Sequence, residues 1–149
     1  MYTPHTVTLY NVFHTVDEST FKETTETHIT ILEGVFLDQS KGVNVRESGL
    51  EGADAATLYI PFSVRANDGL TGNEKRFAEP MEFVKAADKT GLWTLEPGRN
   101  TFFIKGIVVA PGETEMHTQL SHDGVYTVTK VDAKDYGAPS MRHWEVGGK

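Results

Sequence analysis

Residues 6–13 read TVTLYNVF and residues 24–32 read TTETHITIL. Both stretches interleave β-branched and aromatic residues with polar ones, which is typical of strands that bury one face. The polar residues 17–23 between them favour a hairpin connection. Gly34 interrupts the second pattern before Val35, and a glycine inside a strand often marks a bulge or bend. The start of the chain therefore predicts a long, bent β-hairpin.

Further strands follow along the rest of the chain. Residues 55–62 alternate apolar and polar side chains, and residues 100–110 concentrate Phe, Ile and Val in a segment expected to lie in the core. Residues 91–95 predict another strand, which the Pro-Gly turn at residues 96–99 should return to the 100–110 segment as a hairpin. The last strands are expected at residues 125–131 and 144–146.

One short segment has a helical pattern. Residues 79–87 carry Pro80 where the first helical turn would begin, and proline is well suited to that position. Helical spacing then places Met81, Val84 and Lys85 on one partly apolar face. We expect a single short helix here.

Together these segments predict about seven to eight short strands. No strand-helix-strand alternation occurs, so a parallel sheet is not expected. The 149 residues suit one domain. The expected fold is mainly β, an antiparallel β-barrel or sandwich with long loops and one short helix, forming a single barrel-like domain over residues 1–149.

Two polar stretches, residues 38–54 and residues 63–77, contain several glycines and show neither helical nor strand periodicity. They are expected to be long, mobile loops. Loops of this length in a compact domain are uncommon and usually have a function.

Composition excludes several classes of protein. The formal net charge of −7 argues against tight binding of nucleic acid through phosphate neutralisation. The chain has no cysteine, which excludes disulfides and thiolate metal sites. It has no apolar run long enough to cross a bilayer, and residues 1–5 lack the pattern of a signal peptide. We expect synthesis in the cytosol and no membrane partner.

No catalytic or metal-binding constellation stands out in the sequence. Six histidines are present, but their spacing matches no known ligand pattern. Ser121-His122-Asp123 has the residue types of a catalytic triad, yet adjacent residues of an extended chain point to opposite sides. Acidic pairs such as Glu23 with Glu26 are common by chance in so acidic a chain. We expect no enzyme activity, no cofactor and no metal.

Trp93 and Trp144 both fall in predicted strands, so burial in the core or at a subunit interface is the favoured interpretation. The alternative is a ligand-binding β domain in which either ring forms a platform for a sugar. An exposed aromatic platform beside a concave polar site would favour that alternative.

Nearly the whole chain resembles a family of short proteins encoded by phages and prophages of Gram-positive bacteria. The resemblance is carried by stretches of sequence and not by a catalytic motif. These stretches are Val7-Thr8-Leu9-Tyr10-Asn11, Leu32-Glu33-Gly34-Val35-Phe36 followed by Asp38, Ser48-Gly49-Leu50, Tyr59-Ile60-Pro61-Phe62, Gly91-Leu92-Trp93-Thr94-Leu95, Lys105-Gly106-Ile107, Asp135-Tyr136-Gly137 and residues 141–149.

The resemblance implies a virion structural protein similar to the head-closure (stopper) subunits of head–tail connectors. Such a subunit would be assembled in the host bacterial cytoplasm into a ring of about six or twelve copies. Its partners would be other copies of itself and the adjacent connector, adaptor and tail proteins, with DNA passing through the ring without tight binding. A tail-completion or tail-terminator protein is the nearest alternative.

Candidate contact residues follow from this interpretation. The two predicted loops would supply interface or channel-lining residues, and the C-terminal run would supply a further contact. The loop candidates are Lys41, Arg46, Arg65, Asp68, Lys75 and Arg76, and the C-terminal candidates are Arg142, His143 and Trp144.

Overall fold

The computed structural model describes residues 2–39, 55–109 and 124–149. Within these ranges the chain is mainly β, with one short α-helix, as expected. In chain order the elements are β1 (His5–Val16), β2 (Glu23–Gln39), β3 (Ala56–Pro61), β4 (Arg65–Asp68), β5 (Arg76–Phe77), α1 (Pro80–Lys85), β6 (Leu92–Trp93), β7 (Thr101–Lys105), β8 (Val125–Lys134) and β9 (His143–Gly148), with a 3-10 turn at Pro139–Met141.

Six strands form a closed antiparallel barrel. Their order is β1-β7-β8-β9-β3-β2, and β2 pairs back with β1 to complete the ring of hydrogen bonds. Closure removes the unpaired strand edges that an open sheet would expose. The strand β4 continues the line of β3 and adds to the side of β2.

The barrel interior is filled by the apolar half of each alternating strand. On β3, for example, Ala56, Leu58 and Ile60 are buried, while Thr57 and Tyr59 between them are half-buried. This alternation is the period-two pattern from which the strands were predicted. The buried core includes Val7, Leu9, Leu32, Val35, Leu58, Ile60, Trp93, Phe103, Val128, Trp144 and Val146.

The bend predicted at Gly34 is a β-bulge. The β1–β2 register pairs His5 with Val35 and Thr6 with Glu33, so Gly34 has no partner on β1. Its φ of +84° lies in the left-handed region that residues with a Cβ disfavour. Beyond the bulge, β2 leaves β1 and pairs with β3. The bulge therefore lets one long strand take part in two pairings of the barrel.

Residues 63–77 are not a mobile loop, and that prediction was wrong. They contain β4, a turn bonded between Asp68 and Asn73, and β5. An isolated bridge also joins Asn67 to Glu74. These strands have only four and two residues, respectively, too few to generate a recognisable period.

The prediction of a hairpin across residues 96–99 was also wrong. Instead of pairing with β7, the strand β6 pairs with β5, and the two run in parallel. Gly98 does adopt a left-handed φ of 133°, and its N–H donates to the carbonyl of Val128 on β8. The turn thus carries the chain across to the barrel wall.

The helix begins at Pro80 as predicted, but its buried face is different. Phe83 is buried, whereas Met81 and Val84 are 64% and 43% exposed. The helix has only six residues, so a single buried side chain is enough to attach it to the fold. Its apolar contact is a small cluster with Ala78 and Leu92.

The segment 100–110 is only partly in the core. Phe102, Phe103 and Ile104 are buried on β7, but the strand ends at Lys105 and Ile107 is 65% exposed.

Among the described residues, no helix has the length and apolarity needed to span a membrane.

Some predictions lie outside the described residues. Of the stretch 38–54, only residues 38 and 39 are described, and they belong to β2. The candidates Lys41 and Arg46 and the triplet Ser121-His122-Asp123 fall in the undescribed parts.

Candidate interaction surfaces

The β1–β2 hairpin extends well past the rest of the barrel. The two strands pair continuously as far as Val16 with Glu23, whereas β7 pairs with β1 only between Val7 and Asn11. Every residue from 14 to 26 is exposed. We call residues 14–26 the projecting hairpin.

The tip of the projecting hairpin presents an aromatic ring to solvent. Phe21 is 83% exposed and has a φ of 54°, a left-handed conformation that costs a residue with a Cβ on the order of 1 kcal/mol. The turn is nevertheless well bonded, because the Phe21 N–H donates to the carbonyl of Asp17 at 2.7 Å. The Asp17 N–H donates to the Lys22 carbonyl at 3.0 Å. An ordered turn thus holds an apolar side chain away from the core.

The Asp17 side chain stabilises the same turn. Its carboxylate accepts hydrogen bonds from the hydroxyl and the N–H of Ser19, at 2.7 and 2.9 Å. These bonds lower the pKa of Asp17 below its usual value. The carboxylate is therefore charged at neutral pH and reinforces the negative charge of the tip.

The projecting hairpin is acidic around its aromatic tip. It carries four carboxylates and one lysine, and the carboxylates belong to Asp17, Glu18, Glu23 and Glu26. His14 links the two strands near the tip, because its ring lies 3.0 Å from the Thr25 hydroxyl and 3.4 Å from the Glu23 carboxylate. An apolar surface bordered by cations is the complement of this element.

A second uncovered aromatic surface lies where β3 ends and β9 begins. The Phe62 ring lies 4.4 Å from the Trp144 ring and is 37% exposed. The Phe62 N–H donates to the Arg142 carbonyl at 3.1 Å, which places the exposed residues Met141 and Arg142 beside it. We call the surface formed by Phe62, Met141 and Arg142 over Trp144 the Phe62 patch.

The structure separates the three C-terminal candidates. Arg142 is exposed, whereas Trp144 is only 8% exposed and packs in the core against Phe77 and Trp93. His143 is half-buried, with its ring 2.7 Å from the Met141 carbonyl and 3.1 Å from the Glu145 carboxylate. Only Arg142 is therefore well placed for contact with a partner.

Burial of Trp93 and Trp144 is confirmed, and it removes the platform that a sugar-binding domain would have used. Their rings meet edge to face at 5.6 Å inside the core. Trp93 is 2% exposed. Neither ring presents a face on which a ligand can stack.

The four loop candidates that the structure describes, Arg65, Asp68, Lys75 and Arg76, do not form one surface. Lys75 has a fully buried side chain, so its expected role at an interface or channel was wrong. Its ammonium group donates to the Ile29 carbonyl and the Thr30 hydroxyl, both at 3.1 Å, and lies 3.4 Å from the Asp68 carboxylate. Lys75 and Asp68 thus attach the turn after β4 to β2.

The two arginine candidates lie on the surface in separate ion pairs. Arg65 on β4 is 3.8 Å from the Glu33 carboxylate of β2, and Arg76 on β5 is 2.9 Å from the Glu82 carboxylate of α1. Exposed pairs of this kind contribute little to stability. Both arginines remain accessible to a partner.

Burial and pairing act in opposite directions on the pKa values of the Lys75–Asp68 pair. Burial lowers the pKa of Lys75 below 10.5, although the Asp68 carboxylate partly opposes this. For Asp68, burial alone would raise the pKa. Hydrogen bonds from the N–H groups of Leu70 and Thr71, together with Lys75, outweigh burial and lower the Asp68 pKa.

A cleft of about 650 Å³ opens beside this pair. Its lining includes His28 and Ile29 of β2, Asp68 and Leu70 of the turn, and Thr90. The His28 ring meets Phe83 edge-on at 5.7 Å and lies 3.3 Å from the Glu26 carboxylate. The wall of the cleft therefore combines apolar and polar groups.

The pKa of His28 lies below 6.5 because burial disfavours the charged ring, with Lys75 and Lys89 adding repulsion and Glu26 opposing it. A depressed folded-state pKa contributes stability above about pH 6.5 that is lost as pH falls through the lower value.

We expect the urea midpoint of the native protein to fall between pH 7 and pH 5, and we expect His28→Gln to reduce that fall. His14→Gln, on the exposed hairpin, is the matched control, and an equal effect of both changes would contradict the assignment.

Within the described ranges, no group of three or more His, Asp or Glu side chains is placed to hold a metal ion. His5 serves the fold, since its Nδ1 accepts the Leu37 N–H at 3.0 Å. His117 and His122 lie in the undescribed part of the chain.

Sequence reasoning missed the main feature of the projecting hairpin. Phe21 is the single aromatic residue in an otherwise polar turn, and that contrast was a usable signal. A large apolar side chain in a tight polar connection has no core within reach. The position of Lys75 had no such signal, since its partners Ile29 and Thr30 lie far away in the sequence.

Comparison with protein families matches residues 2–149 to one described as a family of unknown function (DUF6751). No curated protein matches the chain. No solved structure matches it either.

Proposed function

We propose that this chain, which belongs to the family DUF6751, is a structural subunit of a tailed phage or prophage particle. Its place in the particle is the head–tail junction, where it acts as a head-closure subunit in a ring around the DNA channel. The assignment to this junction rests on the resemblance of its sequence stretches to proteins of the virion structural block.

The observation that carries the structural role is the projecting hairpin with Phe21 at its tip. The six strands of the closed barrel pair on both sides over part of their length, which leaves few of their edges free to bind a neighbour. Elements that leave the barrel are then the natural source of contacts between subunits. The hairpin is such an element, and its exposed aromatic tip offers apolar area that a partner can bury.

The charge of the chain supports a passive relation to DNA. With a net charge of −7 and four carboxylates on the projecting hairpin, the surface repels phosphate. A ring lined by such surfaces lets DNA pass without holding it. The mechanism is geometric and requires no bond to form or break.

A tail-completion subunit is the second candidate. It would use the same projecting contact in a ring, but the ring would face the tail tube. The two candidates differ in where the protein lies in the particle and in what its loss leaves unfinished.

The test is to delete the gene in the phage or prophage that encodes the chain and to examine the particles by electron microscopy. A head-closure subunit predicts full-length free tails and heads that have lost their DNA. In intact particles, antibody label should appear at the neck. Stable DNA-filled heads with tails of abnormal length would favour tail completion, and purified particles without the protein would contradict both.

A further inference from the structure

The projecting hairpin and the Phe62 patch are different surfaces of the barrel, although the strands β2 and β3, which lead to them, are neighbours. Around the six-stranded ring, β9 is three strands from β1 in either direction. The hairpin continues β1 and β2, whereas the patch lies at the start of β9 and the end of β3. A head-to-tail assembly requires two different surfaces on each copy, and such assemblies close into rings when the rotation permits.

The two surfaces are complementary in polarity. Phe21 offers an 83% exposed ring, and the patch offers Phe62 and Met141, which are 37% and 52% exposed. Next to Phe62 and Met141, Arg142 is exposed and has no ion-pair partner among the residues that the structure describes. The tip supplies the carboxylates of Asp17 and Glu18. The acidic border around Phe21 is therefore complementary in charge to the arginine beside Phe62.

The Phe21 ring at the tip of the projecting hairpin has no packing partner among the described residues of its own chain. Phe21 makes no ring contact among the described aromatic residues, and its exposure shows that nothing packs over it. The left-handed backbone of Phe21 is a conformational cost, and the hydrogen bonds of the turn hold Phe21 in that conformation. The exposed ring of Phe21 is therefore available to a second copy.

We propose that copies of this chain associate head to tail, with the Phe21 tip of one copy docked on the Phe62 patch of the next. The proposal rests on the ring of the proposed function and deepens it by naming the contact. In this contact, Phe21 packs against Phe62 and Met141, and Arg142 pairs with Glu18 or Asp17 of the neighbouring copy.

The absence of cysteine from the chain makes a direct cross-linking test possible. Thr20→Cys places a thiol beside the tip, and Met141→Cys places one at the border of the patch, while Phe21 and Phe62 are kept. Oxidation of the purified full-length double variant should give a ladder of disulfide-linked multimers on non-reducing gels. Thr20→Cys alone should give no species larger than a dimer.

Matched variants separate docking from random collision. Adding Phe21→Ala to the double variant should lower the yield of multimers at least tenfold. Moving the second thiol from Met141 to Met81, an exposed methionine on α1, should lower it similarly. A ladder of equal intensity in either control, or no species above dimer in the double variant, would overturn the contact.

A charge exchange tests the ionic part. In the same cysteine background, Glu18→Arg and Arg142→Glu should each reduce the ladder severalfold, and the two together should restore it. Restoration requires a direct pair, because two independent losses would add. A combined variant as weak as the single ones would remove Glu18 as the partner of Arg142.

The particle experiment keeps the two proposals separable. If the protein lies at the neck but the ladder persists without Phe21, the contact is wrong and the function stands. If the ladder depends on Phe21 but particles lack the protein, the function is wrong and the head-to-tail contact stands.

Discussion

Replacing Trp93 by alanine should lower the free energy of unfolding by about 3–5 kcal/mol, the usual cost of truncating a buried tryptophan. Trp93 is 2% exposed and packs against two aromatic residues in the core. Its ring lies 5.1 Å from Phe77 and 5.6 Å from Trp144, both edge to face. This side chain helps to attach the two-residue strand β6 to the barrel, together with Leu95 in the core and the hydrogen bonds between Asn11 and Thr94.

Urea unfolding at pH 7 measures the effect. Trp144→Ala should give a loss in the same range of about 3–5 kcal/mol, since its ring lies in the same cluster. Met81→Ala is the control, because Met81 is 64% exposed and should change stability by no more than about 0.5 kcal/mol. A loss below about 1 kcal/mol for Trp93→Ala would show that the ring is not part of a packed core.

The long strands were predictable because their own side chains carry the signal. On β3, one face is buried against the core, so apolar residues recur at every second position. β1 buries both faces between residues 7 and 12, and β-branched and aromatic residues mark it as a strand. The bulge was predictable as well, since Gly34 interrupts the strand pattern of β2. The closure of the barrel was not, because pairings such as β7 with β1 join residues almost one hundred positions apart.

Short elements escaped sequence analysis for a related reason. The strand β4 reads RAND, and only Ala66 in it is buried. What makes it a strand is the neighbouring β2, which supplies its hydrogen bonds. The sequence of residues 63–77 instead resembles a loop, because its glycine and polar content is that of a turn.

Of the candidate interaction surfaces, the sequence identified some residues but not their arrangement. Arg142, which the sequence named as a candidate contact, is exposed, whereas Phe62 and Phe21 were not connected with it. The patch forms because β3 and β9 pair and bring Phe62 beside Arg142, which are eighty positions apart. No local pattern contains that information.

Replacing Lys75 by methionine should lower the free energy of unfolding by about 3 kcal/mol. Breaking a buried ion pair by removing one partner costs about 3–5 kcal/mol. The lower end applies here, because the Asp68 side chain is 17% exposed and keeps its bonds from the N–H groups of Leu70 and Thr71. Methionine fills similar volume but leaves the Ile29 carbonyl and Thr30 hydroxyl without this donor.

The charge left behind accounts for part of that cost, and a second substitution isolates it. Lys75→Met combined with Asp68→Asn removes both charges, so the double variant should be more stable than Lys75→Met alone by about 1 kcal/mol or more. Urea unfolding of the four proteins completes the cycle. A double variant as unstable as the sum of the two single changes would indicate that the charges do not interact.

The same substitution should alter the response to acid. In the native protein, the depressed pKa of Asp68 contributes stability that is complete above its ordinary value of 3.8 and is lost as pH falls through the lower folded value. Without Lys75, one of the groups that lower this pKa is gone, so Asp68 should protonate at a higher pH. Carboxyl carbon NMR of Asp68 measures the titration directly. An unchanged Asp68 midpoint in Lys75→Met would mean that the turn N–H groups alone set its pKa, and that Lys75 holds β2 through its hydrogen bonds to Ile29 and Thr30.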